Sequence, residues 1–222
     1  MPRLLDLFCK QGGASHGYHL AGFHVTGVDR EPQPRYPHAF IQTDVRDLDP
    51  AWIRKNFDVV TGSPPCWAHS DLAFRSGKEY EDFIPECRHL MTESGLPYVI
   101  ENVEKSPPIN PLMLCGTMFP GLRVIRHRLF ESNVSLVAPG PHVRKHTLVF
   151  TMDKRKDHYG RLNEWDAFVS VNGGGNCSKK AAADAMGINE HWMTKDGLNQ
   201  AVPPKFTEWI GRQLMKGFNH VC

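Results

Sequence analysis

The chain has 222 residues, 41% of them hydrophobic and 23% charged, a balance that suits one globular domain with a sizeable core. Twenty-six basic and 24 acidic residues leave a net charge of +2, with 12 histidines besides, so bulk charge alone does not select a nucleic-acid partner. The six cysteines (Cys9, Cys66, Cys87, Cys115, Cys177 and Cys222) have no CxxC spacing, which argues against a zinc ribbon or a dense disulfide framework, and no metal is expected. No signal peptide or membrane-spanning stretch is read near Met1-Pro2-Arg3, so the expected location is a reducing cytoplasm.

In chain order, Leu4-Leu5-Asp6-Leu7-Phe8 reads as a buried strand, and Gly12-Gly13 turns it into a helix over 14–21 that ends at Gly22. Val25–Val28 is a second strand ending in Asp29, and Phe40–Thr43 a third ending in Asp44. Val59-Val60 is a fourth, closed by Gly62-Ser63-Pro64-Pro65-Cys66. A helix follows over 79–93, then a fifth strand, Tyr98–Ile100, the last of this set, ending in Glu101-Asn102. Strands alternating with helices predict an α/β fold with a mostly parallel sheet. From 132 to 176 the pattern changes: Pro139-Gly140-Pro141 is a loop, His146–Phe150 a strand and Gly173-Gly174-Gly175 a turn. Helices are predicted again over 178–187 and, after Pro203-Pro204, over 205–216.

Cys66 is the leading candidate nucleophile. Two prolines stiffen the backbone just before it, at the carboxyl end of a strand where open α/β sheets bind ligands. A lone cysteine is more often a small buried hydrophobe. Glu101 is a carboxylate in an apolar run, costly unless it has a task or a partner. Desolvation would raise its pKa toward a proton-donating range; the plain alternative is a strand-end salt bridge. Gly12-Gly13 lets a cofactor approach the backbone, and Asp29 follows at the spacing of a ribose-binding acid. Asp44 could then meet an adenine amino group. Gly-x-Gly-x-x-Gly and Gly-Lys-Ser/Thr loops are both missing, which weakens nicotinamide and NTPase readings. Basic residues cluster at Arg123, Arg126 and Arg128, and at Arg144, Lys145, Lys154, Arg155, Lys156 and Arg161, as a phosphate footprint or a solvated face.

Six motifs in order give the chain a resemblance to the cytosine-C5 methyltransferase family. They are Asp6-Leu7-Phe8 with Gly12-Gly13, Pro64-Pro65-Cys66, Glu101-Asn102-Val103, Arg126-His127-Arg128-Leu129-Phe130, Met186-Gly187-Ile188, and Ala201-Val202-Pro203-Pro204. The resemblance covers about residues 3–131 and 181–215. It implies a Rossmann-like core that uses S-adenosylmethionine and takes a flipped base from double-stranded DNA. Cys66 would attack cytosine C6, Glu101 would hold the exocyclic amine and protonate N3, and Arg126 and Arg128 would hold the base O2. The implied cofactor residues are Phe8, Lys10, Gln11, Gly12, Gly13, Asp29, Arg30, Asp44, Val45, Ser63, Pro64, Gln200 and Ala201. The implied substrate residues are Pro65, Asn102, Arg144, Lys145, Lys154, Arg155 and Lys156.

The sequence departs from the family at Lys10, where glycine is usual, at Val124, where glutamine is usual, and at Asn199-Gln200, where Gly-Asn is usual. Lys10 would crowd the methionine end of the cofactor or add a contact there. Only 132–180 stands in place of a long recognition domain, so a single methyltransferase domain over 1–222, phage-type and monomeric, with a recognition segment of short specificity, is expected. A bacterial or phage-infected cytoplasm would be its setting. The rivals are a tRNA cytosine-C5 methyltransferase, a catalytically inactive DNA-binding or regulatory homologue, and a free-nucleotide methylase. The tRNA-acting branch bears a Cys-Phe-Thr element that this sequence lacks.

Overall fold

The computed structural model describes residues 1–69, 80–142, 149–150, 168–171 and 177–218. Its main sheet begins with β1 (Arg3–Leu7), β2 (His24–Asp29), β3 (Ala39–Gln42), β4 (Val59–Gly62) and β5 (Tyr98–Asn102), all parallel. Two further strands, β6 (Leu112–Leu114) and β8 (Arg128–Ser132), extend it beyond β5, with β8 antiparallel to both neighbours. The strand order is β3-β2-β1-β4-β5-β8-β6. A small parallel sheet, in the order β7-β10-β9, joins β7 (Val124–Ile125), β9 (Val149–Phe150) and β10 (Phe168–Ser170). This is the Rossmann-like, mostly parallel sheet expected, but Glu101 does not lie on its last strand.

Buried parallel strands carry apolar residues on both faces, and alternation sends them to two cores. Leu4, Val59 and Val99 enter one core, while Leu5, Leu7, Val60 and Ile100 enter the other. The first core receives α1 (Gly13–Leu20) and α6 (Pro204–Lys216). The second receives α2 (Pro50–Asn56) and α3 (Ile84–Ser94). Two short helices, α4 (Lys179–Met186) and α5 (Lys195–Gln200), have Ser178 and Thr194 side chains as N-caps.

The first and last helices meet closely. A Cβ on Gly17 would collide with the Pro204 carbonyl oxygen, so only glycine admits so close an approach of α6. Thr207 Oγ1 donates to the Ala14 carbonyl at 2.8 Å. This contact carries the segment before α6 to the glycine turn after β1. Among the described residues, no helix is long and apolar enough to cross a membrane.

Candidate active site

The order β2-β1-β4-β5 reverses direction of travel between β1 and β4, and open sheets bind ligands at such a switch point. The loops after β1 and β4 border one cleft of about 920 Å³ there. Phe8, Lys10, Gln11, Gly12, Gly13, Asp29, Arg30, Asp44, Val45, Ser63, Pro64, Gln200 and Ala201 all line it. So do Pro65, Cys66, Glu101, Asn102, Arg126 and Arg128. Arg144, Lys145, Lys154, Arg155, Lys156 and Arg161 lie outside the described residues, as do most of the predicted strand over 146–150 and the Gly173–Gly175 turn.

The β1 loop is unusual. Phe8 and Lys10 have φ of 58° and 46°, and Gly12 follows at 87°. The left-handed region is costly for any residue but glycine, so neighbours must hold this loop. Asp29, buried at the end of β2, does so by accepting from the Lys10 N–H at 3.1 Å, while its other oxygen accepts from the Glu31 N–H at 3.1 Å. Lys10 Nζ reaches Glu31 at 3.1 Å, so its ammonium sits at the acidic end of β2. A glycine at position 10 would take this φ without strain. Gln11 pairs twice with Thr194, and a Cβ on Gly13 would stand 2.8 Å from the Val202 carbonyl oxygen.

Asp44 does not end a strand. β3 stops at Gln42, and Asp44 instead caps a single 3-10 turn over 45–47. Both of its oxygens grip the Arg46 guanidinium, at 3.0 and 2.8 Å, which draws its carboxyl down to about 2. Arg46 also lies over the Phe83 ring, 5.6 Å from its centroid, and Phe83 meets Phe8 edge-on. These rings form an apolar wall near Asp44, in which Phe8 was an expected cofactor residue and Phe83 was not.

At the other end, Cys66 is half-buried after Pro64-Pro65. Burial pushes its thiol up, the Arg128 charge pulls it down, and Glu101 pushes it up again. Glu101 is buried and takes Arg128 Nε at 2.8 Å on Oε1. The salt bridge considered for Glu101 is therefore present, and its partner is one of the expected site residues. Arg128 also donates from Nη1 to the His127 carbonyl at 2.7 Å.

Two expected substrate contacts are spent on the protein itself. Asn102 donates from Nδ2 to the Pro64 carbonyl at 2.9 Å and accepts from the Val103 N–H at 2.9 Å. It braces the loop that carries Cys66. Arg126 is 4% exposed and donates to the carbonyls of Val171 at 2.5 Å and Asn199 at 2.7 Å. A buried guanidinium needs acceptors, and these two take Nη1 and Nη2; among the described residues Nε meets none. Burial and the Arg128 charge hold its pKa far below the usual arginine value. Arg126 thus ties the late motif and the small sheet to the site, a role that sequence could not separate from base binding.

The sequence reading also missed a polar network beneath the cleft. Tyr36 Oη donates to Ser15 Oγ at 2.8 Å, Ser15 donates to Asp6, and Thr61 donates to Asp6 at 3.1 Å. Asp6 is 1% exposed, and desolvation lifts its carboxyl to about 6. The signal available for it was the one used for Glu101, a carboxylate inside an apolar strand.

Residues 2–105 match the family model described as C-5 cytosine-specific DNA methylase. Curated relatives include the type II methyltransferase M.AgeI of Thalassovita gelatinovora, 29% identical over 118 residues, which are 46% of this chain and 28% of that protein. The type II methyltransferase M.DdeI of Desulfomicrobium norvegicum is 27% identical over 113 residues, 45% of this chain and 27% of its own. The chain thus aligns with less than a third of the length of these relatives. A DNA modification methyltransferase encoded within an E. coli prophage has a similar fold, with TM-score 0.68 and 16% identity over 99% of this chain and 100% of that one. The S. pombe Dnmt2 methyltransferase does too, with TM-score 0.65 and 13% identity over 99% and 100%. The fold likeness covers 99% of this chain, and residues 2–105, which match the C-5 cytosine-specific DNA methylase model, hold Cys66 and Glu101.

Proposed function

We propose that this protein transfers a methyl group from S-adenosylmethionine to C5 of cytosine in double-stranded DNA, through a covalent bond between Cys66 and a flipped-out base. The observation that carries this reading is the convergence of Cys66, Glu101 and Arg128 with the Gly12-Gly13 turn, Asp29 and Asp44 in one cleft.

The donor set suits the cofactor. A left-handed glycine turn brings bare backbone to the cleft, buried Asp29 stands at a ribose spacing, and Asp44 lies by an apolar wall suited to adenine. When bound there, S-adenosylmethionine supplies an electrophilic methyl group. Cytosine C5 is a poor nucleophile until C6 has been attacked. The Cys66 thiolate forms the Sγ–C6 bond, and N3 takes a proton from the Glu101 carboxyl. Electron density then reaches C5, which takes the methyl group. Loss of the C5 proton to water, cleavage of the Sγ–C6 bond and return of the N3 proton to Glu101 restore the aromatic ring and the Cys66 thiolate. Arg128 orients the Glu101 carboxyl and supplies the positive charge that favours the thiolate. Asn102 holds the nucleophile's loop.

The basic residues between 144 and 161 would grip phosphates, which position a duplex without reading it. With only 132–180 available for recognition, the site read would be one to three bases long.

The test is a purified chain incubated with labelled S-adenosylmethionine and random-sequence duplex DNA, single-stranded DNA, or tRNA. DNA containing 5-fluorocytosine, which cannot lose its C5 substituent as a proton, should trap a covalent complex. The reading expects label in duplex DNA at cytosine, trapping, and a context of one to three fixed bases on sequencing. Label confined to tRNA would move the substrate to RNA. No transfer to any of them would favour an inactive homologue. A motif of four or more fixed bases would overturn the short specificity.

A further inference from the structure

Cys115, His127 and His142 are far apart in sequence and take no part in the reaction above. One ring nitrogen from each histidine and Cys115 Sγ lie within 4.8 Å of one another. Strand pairing explains the first two. In the antiparallel ladder Leu114 stands opposite Arg128, so the next residue outward on β6, Cys115, falls across from His127. Neighbouring positions on adjacent antiparallel strands put their side chains within reach of each other. The Pro139-Gly140-Pro141 loop then delivers His142, whose Nε2 lies 3.1 Å from His127 Nε2. The two rings are 78° apart, with centroids 5.0 Å from each other.

We infer that Cys115, His127 and His142 form a zinc-binding site. The chemistry of the donors selects the ion: a thiolate with two neutral imidazoles suits tetrahedral Zn²⁺ and is a poor match for the oxygen-seeking Mg²⁺ and Ca²⁺. Two imidazole nitrogens on one tetrahedral zinc are about 3.3 Å apart, from Zn–N bonds of about 2.0–2.1 Å. The 3.1 Å between the two Nε2 atoms is close to that.

A further partner is in place around His127. Its Nδ1 lies 3.0 Å from Glu104 Oε2. A carboxylate on the far nitrogen of a ligating histidine fixes the tautomer that presents Nε2 as a donor atom, a habitual arrangement at zinc centres. Cys115 is fully buried and His127 half-buried, so the site would be partly shielded from competing ligands. Binding would release the Cys115 thiol proton to solvent.

The position gives the site its purpose. His127 stands between Arg126 and Arg128, at the corner where the chain leaves the small sheet at β7 and enters the main sheet at β8. Zinc there would pin this corner to the end of β6 and to the 139–142 loop. The ion thus acts as a positioning element for the arginine corner, with no contact to the reacting base required.

The test uses the full chain, purified without a polyhistidine tag or chelator from zinc-supplemented medium. Mass spectrometry of the metal should find about one zinc per chain, and Co²⁺ replacement should give the thiolate charge-transfer band and visible bands of a tetrahedral site. His142→Ala changes a loop residue outside both sheets, and Cys115→Ser removes the thiolate. Both should lose the zinc, and the first should do so with an unchanged circular dichroism spectrum. Wild-type protein with no zinc above background and no cobalt bands at one equivalent would overturn the site, leaving a histidine pair joined by a hydrogen bond. So would full zinc retention in both variants. These readouts use neither DNA nor methyl transfer, so they stand apart from a failure of the methyltransferase reading.

Discussion

Arg128 Nε donates to Glu101 Oε1 at 2.8 Å, joining antiparallel β8 to the end of parallel β5 at the cleft. The pair is mostly buried, with side-chain exposures of 17% and 11%. Each charge would be costly there without the other. The pair therefore does two tasks: it satisfies two buried charges, and it fixes the direction of the Glu101 carboxyl, whose charge acts on Cys66.

Glu101→Gln preserves shape but cannot donate a carboxylic proton. The expected loss in methyl-transfer rate is about 10²–10⁴-fold, the usual worth of general acid–base help. Arg128→Lys keeps the charge but loses the planar fork that reaches both Glu101 and the His127 carbonyl. It should lose rate as well, with cofactor affinity unchanged. Single-turnover kinetics and calorimetry check both variants, and rates within a factor of about three of wild type would reduce the pair to a structural brace.

Cys66→Ser should bind cofactor as the wild type does, yet neither transfer methyl nor trap on 5-fluorocytosine DNA. The wild-type rate should also respond to pH. Burial holds the Cys66 thiol above the ordinary cysteine range, and Arg128 offsets part of that. Only the thiolate attacks, so the rate of adduct formation should climb as pH rises through neutrality into the alkaline range. A flat pre-steady-state profile over that range would mean that thiol ionisation does not limit attack.

The parts of the fold legible in the sequence share one property: their signal lies within a few consecutive residues. β1, β2, β4 and β5 are buried on both faces, and they read as apolar runs punctuated by glycine, proline or a terminal carboxylate. β6, β7 and β10 have two or three residues each and carry no period to detect. β8 reads Arg-Leu-Phe-Glu-Ser, and its charges look wrong for a central strand until their partners are known: Arg128 meets Glu101, and Glu131 meets Arg88 at 2.7 Å. At the site, Cys66, Glu101 and the glycine turn were legible because strand ends announce themselves. That Arg126 and Asn102 would be consumed by backbone groups of Val171, Asn199, Pro64 and Val103 depends on long-range packing. The same holds for Cys115, His127 and His142, whose spacing matches no local ligand pattern.

Arg126 gives a stability prediction. Its guanidinium satisfies two carbonyl oxygens, and an unsatisfied buried acceptor costs about 1–3 kcal/mol. Arg126→Met keeps the bulk of the stem and removes both donors. It should lower the unfolding free energy by a few kcal/mol, about 2–6 for the two acceptors, read by urea denaturation. Unchanged stability with lost DNA binding would return Arg126 to a base-holding role.

Asp29 is expected to act on the cofactor in two ways, through ribose and through the loop it holds. Asp29→Ala removes the acceptor for the Lys10 N–H, in a loop where Lys10 sits at φ 46°. S-adenosylmethionine affinity should fall by about tenfold or more, the worth of a charge-assisted hydrogen bond at about 1.5–3 kcal/mol. Binding of DNA should be unaffected. Lys10→Gly should leave the loop conformation unchanged, because glycine adopts this φ freely. Equal cofactor affinity for Asp29→Ala and wild type by calorimetry would reject the ribose assignment.

Asp6 carries the pH prediction. Desolvation dominates its surroundings and raises its carboxyl from 3.8 to about 6, against hydrogen bonds from Ser15 and Thr61 and with added repulsion from Glu101 and Asp29. The native state therefore holds this proton more tightly than the unfolded chain does. Its contribution to stability is fully present below about 3.8 and is lost as pH rises through about 6. The shift of roughly two units corresponds to about 3 kcal/mol. His38 works in the opposite sense: burial lowers it to about 4, so its contribution is present above the ordinary histidine value and fades as pH falls through about 4. The two partly cancel in the wild type, which is why the prediction is a difference. Asp6→Asn removes one titration and leaves His38 in place. Relative to Asp6→Asn, the wild type should gain up to about 3 kcal/mol between pH 7.5 and pH 4, measured by urea denaturation at each pH. A difference between the two proteins that stays constant across that window would show that Asp6 is ionised throughout, with Ser15 and Thr61 holding it as a carboxylate.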